Sequence, residues 1–239
     1  MTAVWPIGSS ARQSQHAKVL HSLKLNALIM AIGISAISVA GFKSLSEEST
    51  VEITPLTIFA GANSSGKSSI MQPLLMIKQT LHESYDPGIL KINGPNVKFT
   101  ETNQFLSKTL SNAHNESFTI KISLDNGLKL TETFSKQQNR GLKIVEILYT
   151  NKDGNLHFRP GMNQQELIDS SVSFKENWEK FSKAFKVDGK TETSLSVERE
   201  RCFLKPIAHI KRTSDKGERE LSFSFMDLSE PFETLTSRM

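Results

Sequence analysis

Gly61-Ala-Asn-Ser-Ser-Gly-Lys-Ser68 satisfies every fixed position of the phosphate-binding pattern G-x-x-x-x-G-K-[S/T]. Two glycines, Gly61 and Gly66, let the backbone turn so that successive amide N–H groups converge on phosphate oxygens. Lys67 adds a full positive charge near the β- and γ-phosphates, and the Ser68 hydroxyl is placed to ligate a Mg²⁺ bridging them. A helix is expected to begin at about Lys67 and to aim its positive dipole end at the same anion. The flanks agree, since Leu56-Thr-Ile-Phe-Ala60 reads as a short buried strand and Ser69-Ile-Met-Gln-Pro-Leu-Leu-Met-Ile-Lys78 has helical apolar spacing. Strand, glycine loop and helix together predict a nucleotide site formed by Gly61, Ala62, Asn63, Ser64, Ser65, Gly66, Lys67, Ser68 and Ser69. The expected ligands are ATP and Mg²⁺, with Ser68 on the metal. The competing reading is a Gly/Ser-rich turn that binds nothing.

With 239 residues the chain has room for one large domain or two small ones, and a single α/β domain is the expectation. A net charge of +4 and a pI near 9.1 are mildly basic, and no dense lysine or arginine tract occurs. Contact with DNA is therefore permitted by composition but not indicated by it. The single cysteine, Cys202, excludes an internal disulfide framework and a Cys-based zinc cluster, and it suits a reducing cytoplasm. It is read as a small buried apolar residue.

Residues 25–42 are almost uncharged and follow a stretch whose only charges are Arg12, Lys18 and Lys24, which is how a signal peptide begins. Asn26, Gly33, Ser35 and Ser38 interrupt the run, and it leads directly into strand-like sequence. The expectation is accordingly a cytoplasmic protein without a membrane span. Residues 1–29 are expected to be a disordered leader or an upstream extension, with the organised part occupying 30–239.

Residues 32–42 place β-branched side chains in near alternation, Thr50-Val-Glu-Ile53 gives a second short strand after a polar turn, and Pro55 starts the stretch that feeds the loop. Ile37-Ser-Val-Ala-Gly-Phe-Lys-Ser44, Val51-Glu-Ile53 and the segment from Leu56 to Ser69 resemble the amino-terminal lobe of ABC-type ATPases of the SMC, RecF and OLD-like group. Gly41-Phe-Lys-Ser44 and the G-x-N-x-[S/A]-G-K-S-[S/T] form of the loop carry that resemblance, and Ile89-Leu-Lys-Ile-Asn-Gly-Pro95 is similar to a segment found in bacterial AAA-type ATPases of this group, some of them parts of anti-phage systems. The resemblance implies an ABC-type P-loop NTPase head, with a mixed sheet and an antiparallel β-subdomain. It also implies a downstream glutamine near Mg²⁺ and the attacking water; Gln104 lies downstream, but a solvent-exposed amide is the preferred reading of it.

Phe118, Ile120, Ile122 and Leu124 alternate, Asp125-Asn-Gly127 signals a turn, and Leu128, Leu130 and Phe134 resume the alternation, so a hairpin is expected. A second is expected from 142–150 and 156–159, giving hairpins over about 118–160. A helical segment over about 163–186 carries Phe174, Trp178, Phe181 and Phe185 at spacings of four, three and four. This stripe is read as core, with an inter-subunit contact as the functional alternative. Residues 197–220 mix cations and anions and are read as a solvated surface, followed by a strand on Leu221, Phe223 and Phe225.

By resemblance, a complete ATPase of this type also has an apolar strand ending in Asp-Glu and a Ser-Gly-Gly-like signature supplied across a head-to-tail dimer. Neither is found; Phe223-Ser-Phe-Met-Asp227 is interrupted by Ser224 and lacks the glutamate. The chain is therefore expected to be the incomplete first part of an ATPase. It should bind ATP-Mg²⁺ and hydrolyse it only when a carboxy-terminal lobe or partner chain completes it, in a DNA-linked or defence role. The alternative is a non-catalytic nucleotide-binding interaction protein or truncated pseudo-ATPase.

Overall fold

The computed structural model describes residues 33–108, 115–137, 141–152, 154–185, 190–214, 217–225 and 231–232; the expected leader, 1–29, lies outside them. Ile34–Ala40 (β1) begins the fold, with Ile37 and Val39 each 1% exposed. A tight turn returns the chain to Ser49–Glu52 (β2), which pairs antiparallel with Ile37 opposite Val51, while the hydroxyls of Ser38 and Thr50 bond across the strands at 2.8 Å.

On the other edge of β1 lies Ser117–Leu124 (β3), again antiparallel, with Val39 opposite Ile120 and Ile37 opposite Ile122. Lys129–Gln137 (β4), Gly141–Asn151 (β5) and Gly154–Phe158 (β6) continue as successive hairpins, giving the order β2-β1-β3-β4-β5-β6. The β3–β4 turn uses Gly127 at φ +87, which a residue with a Cβ adopts only with strain, and Leu128 N–H donates to Asn126 Oδ1 at 3.0 Å. Because side chains alternate along each strand, Ile37, Phe118, Ile120, Leu130, Phe134, Ile144, Ile147 and Tyr149 share one buried face. Glu132 sits in the same face, between Ile120 and Ile147.

Two helices follow. Gln164–Ile168 (α2) opens with a capping box, in which Asn163 Oδ1 accepts from Glu166 N–H and Glu166 Oε2 accepts from Asn163 N–H. In Val172–Phe185 (α3) the aromatic stripe is buried at one end and open at the other: Phe174 is 0% and Trp178 5% exposed, whereas Phe185 is 37% exposed. Phe174 packs on Phe158 and Phe225, and Trp178 on Phe225, so the first half of the stripe is core.

Thr191–Glu200 (β7), Phe203–Ser214 (β8) and Gly217–Ser224 (β9) form a separate antiparallel sheet in that order. Much of the segment read as a solvated surface is therefore strand. Leu195, Ala208 and Phe223 line one face, and Ser194, His209 and Ser222 the other, where charged neighbours are free to reach water. Lys205, 5% exposed, pairs with Glu200 at 2.8 Å.

Every strand pairing among the described residues is antiparallel, so the mixed sheet expected for the fold is replaced there by two antiparallel sheets. Phe223-Ser-Phe lies at an antiparallel edge, with Ser224 opposite Ile207, and Asp227 lies outside the described residues. No helix among the described residues is long and apolar enough to cross a membrane.

Candidate nucleotide-binding site

The loop begins and ends differently from the sequence expectation. Residues 56–60 join no strand ladder, and Leu56 and Ile58 are each 77% exposed. The cause is local: Thr54 N–H donates to Thr57 Oγ1 at 3.0 Å and Thr54 Oγ1 donates to the Leu56 carbonyl at 2.8 Å, while Pro55 has no N–H to give a ladder. A strand buried on both faces also needs neighbours on both edges. None of the described strands pairs with this one.

Beyond the loop, regular helix starts at Gln72 rather than Lys67 and runs as Gln72–Leu81 (α1). Residues 66–71 make turns, with Ile70 N–H bonding the Gly66 carbonyl at 3.1 Å and Gln72 N–H the Ser68 carbonyl at 3.2 Å. Pro73 explains the delay. It lacks the N–H that would close onto Ser69, and its ring crowds that carbonyl, so Pro73 is accommodated only in the first turn of a new helix.

Within the loop, Gly61, Ser64 and Gly66 have positive φ values of +151, +62 and +94. The N–H groups of Gly66, Lys67, Ser68 and Ser69 donate to no acceptor among the described residues. Lys67 Nζ is folded over the loop and donates to the Gly61 carbonyl at 2.6 Å and the Ala62 carbonyl at 2.5 Å. Residues 61–65 and Ser68 are exposed, whereas Gly66 and Ser69 are buried. A flexible cation beside unclaimed amides fits a polyphosphate, and the exposed Ser68 hydroxyl fits a hard metal ion bound with it. Among the described residues no group of three His, Cys, Asp or Glu side chains could hold a metal alone.

The buried side of the loop rests on Gly41-Phe-Lys-Ser44. Gly41 and Lys43 take φ +75 and +49, and Phe42 and Leu45 close the turn through N–H to carbonyl bonds of 3.0 and 2.9 Å. Phe42, fully buried, stacks on Phe105 and meets Phe118 edge-on, which ties the turn to β3. Leu45 and Ser44 then face Gly66 directly. Lys43 lies over the Phe99 ring at 4.8 Å, and burial lowers its pKa from the ordinary value. Beside this turn an open pocket of about 400 Å³ is lined by Lys43, Ser44, Asn103, Gln104 and Lys108 among others. Gln104 is held by Thr100, whose N–H donates to Gln104 Oε1 and whose Oγ1 accepts from Gln104 Nε2, both at 2.8 Å.

The packing of Leu45 and Ser44 on the loop was not foreseen, nor was the lysine pair at the pocket. A turn flanked by Gly41 and Lys43 in left-handed conformations is the local signal that residues 44–45 double back on the chain. The similarity segment at residues 89–95 has a structural place: Gln79, 1% exposed, accepts from the N–H groups of Asn96 and Val97 at 3.2 and 3.1 Å and donates to the Lys91 carbonyl, while Thr80 Oγ1 accepts from Lys91 N–H at 2.8 Å. The segment is thereby pinned to α1.

Loop, following helix and backing turn together define a phosphate-binding-loop protein. A family model described as AAA ATPase domain matches residues 33–222. The chain belongs to that family. No curated protein matches the chain.

Proposed function

We propose that residues 61–69 bind ATP with Mg²⁺, as the amino-terminal lobe of an ABC-type head of the SMC, RecF and OLD-like group. The observation that carries this is the loop itself: among the described residues, four successive N–H groups at Gly66, Lys67, Ser68 and Ser69 have no acceptor, beside an ammonium group bonded only to loop carbonyls. On binding, Lys67 would exchange those carbonyls for phosphate oxygens, the amides would hold the same oxygens, and Ser68 would supply one oxygen to the metal. Bound Mg²⁺ would neutralise phosphate charge.

Hydrolysis, in this reading, waits on groups from a carboxy-terminal lobe or a partner chain. The exposed side chains of Leu56, Ile58 and Phe59 support it, because apolar residues left open next to a ligand loop are suited to cover by a further chain segment. A DNA-linked or defence role and a cytoplasmic setting belong to the same proposal. A second reading, a nucleotide-binding protein without catalysis, is favoured by one observation: Gln104 is bonded to Thr100 and not held ready for a water.

Titration of a fluorescent ATP analogue with and without Mg²⁺ tests the binding reading. Wild type is expected to bind more tightly with Mg²⁺, and Ser68→Ala to lose that increment while keeping metal-free binding. Equal binding by both proteins at all Mg²⁺ concentrations would count against Ser68 as a metal ligand. Mixing with a chain that carries the signature and Asp-Glu strand separates the two functional readings, since only the first predicts hydrolysis.

A further inference from the structure

We propose that the nucleotide loop is coupled to the β7–β8 hairpin through helix α1, with Arg201 as the positioning residue at the joint. The inference rests on the nucleotide reading of the loop and adds to it a route by which occupancy is sensed elsewhere in the domain.

Helix α1 follows the loop at one end and meets the tip of the hairpin at the other. Arg201, between β7 and β8, donates from Nη1 to the Leu81 carbonyl and from Nη2 to the Glu83 carbonyl at 2.9 Å. Those carbonyls stand at and just past the carboxyl end of the helix, where the backbone has no helical donor left to offer and a cation complements the dipole. Arg199 adds a second tie, donating to Asp86 Oδ1 at 3.2 Å and Oδ2 at 2.6 Å, and its Nη1 also donates to the Arg201 carbonyl at 3.0 Å. This forked pairing holds the Asp86 carboxyl below its ordinary pKa. Arg201 itself takes φ +53, a left-handed conformation that a side chain adopts with strain and that persists only where its surroundings hold it.

The two ends of the helix are thus held differently. Residues 66–71 are tied by the backbone bonds of their own turns, with regular helix from Gln72, whereas the far end is held by the Arg201 side chain and the segment beyond it by Arg199. A ten-residue helix is a stiff rod roughly 15 Å long. A phosphate that draws the first turn into register moves the rod, and the displacement arrives at Leu81 and Glu83, where Arg201 passes it to the hairpin. By reciprocity, whatever tightens the arginine joint tightens nucleotide binding by the same factor.

Hydrogen–deuterium exchange on the full chain, with and without ATP-Mg²⁺, tests this. In wild type, ATP is expected to slow exchange across residues 66–81 and also across 199–204, by roughly 5-fold or more. Arg201→Gln should keep the first effect and lose the second, with ATP affinity weakened by roughly 5-fold. Arg201→Lys, which leaves a cation at the helix end without the fork, should retain part of the transmission. Asp86→Arg and Arg199→Asp should each reduce it, and the two together should restore part of it, since the swap re-forms the ion pair but not the bond from residue 199 to the Arg201 carbonyl. Protection of 66–81 in wild type without any change at 199–204, or full transmission in Arg201→Gln, overturns the coupling alone. If ATP leaves even 66–81 unprotected in wild type, the nucleotide reading falls and the coupling falls with it.

Discussion

A Cβ on Gly66 would stand 2.9 Å from Leu45 Cδ2, so the loop and the turn after β1 are in contact at a loop position whose φ, +94, disfavours any side chain. Two costs are superimposed there, and they separate experimentally. Leu45 presents the end of a flexible side chain and can yield; the backbone conformation cannot. Gly66→Ala is therefore expected to destabilise the domain by about 1–3 kcal/mol and to weaken ATP binding. Adding Leu45→Ala should relieve the contact yet restore neither property, as read by urea unfolding and nucleotide titration. Restoration by the double variant would show that crowding, and not φ, requires the glycine.

Gln79 predicts a stability effect of a different kind. Its buried amide serves the segment 91–97 on both sides, accepting two N–H groups and donating to Lys91, and a Cβ on Gly94 would lie 2.6 Å from Gln79 Oε1. Gln79→Ala leaves the buried Val97 N–H without its acceptor, which costs about 1–3 kcal/mol. Gly94→Ala forces the same amide out of place. Both variants should shift the urea midpoint down, and they should be less than additive when combined, because they break one set of bonds.

A pH dependence follows from Glu132. Both carboxyl oxygens are buried in the inner face of the sheet without a hydrogen-bond partner among the described residues, and burial raises the pKa well above its ordinary value of 4.5. The folded protein therefore holds a proton that the unfolded chain releases. The contribution to stability is complete below the ordinary carboxylate value and is lost as pH rises toward the folded-state value, with a slope of at most about 1.4 kcal/mol per pH unit. Glu132→Met should be more stable than wild type at pH 8, with the difference narrowing toward pH 4. Denaturant curves across that range check it, and a gap that widens on acidification contradicts the assignment.

What could be read in the sequence depended on whether a residue's partner lay close along the chain. Phe118, Ile120 and Ile122 advertise β3 because each second side chain enters the core and Asp125-Asn-Gly127 turns the chain locally. The phosphate-loop pattern of residues 61–68 is equally local, since it resides in glycines, one lysine and one hydroxyl. β7 and β8 were hidden because Ser194, Ser196, Glu198, His209 and Lys211 alternate outward, and the inward residues Thr193, Leu195 and Ala208 give only a faint apolar period. Leu56 to Ala60 misled for the opposite reason. Its composition favours a strand, but strand formation needs a neighbour, and Thr54 and Thr57 bond locally instead. Pro73 was visible, though its effect on where α1 becomes regular depends on Ser69 one turn earlier.

The central claim concerns Lys67, whose ammonium group bonds, among the described residues, only to carbonyls of its own loop. Replacing it by alanine removes the mobile cation and leaves the backbone amides in place. Equilibrium titration of a fluorescent ATP analogue with Mg²⁺ against wild type and Lys67→Ala is the most direct test. Saturable binding by wild type, weakened at least about 10-fold in the variant, about 1.4 kcal/mol, is the predicted result. Binding of equal strength by both proteins, or none by wild type, would contradict the account.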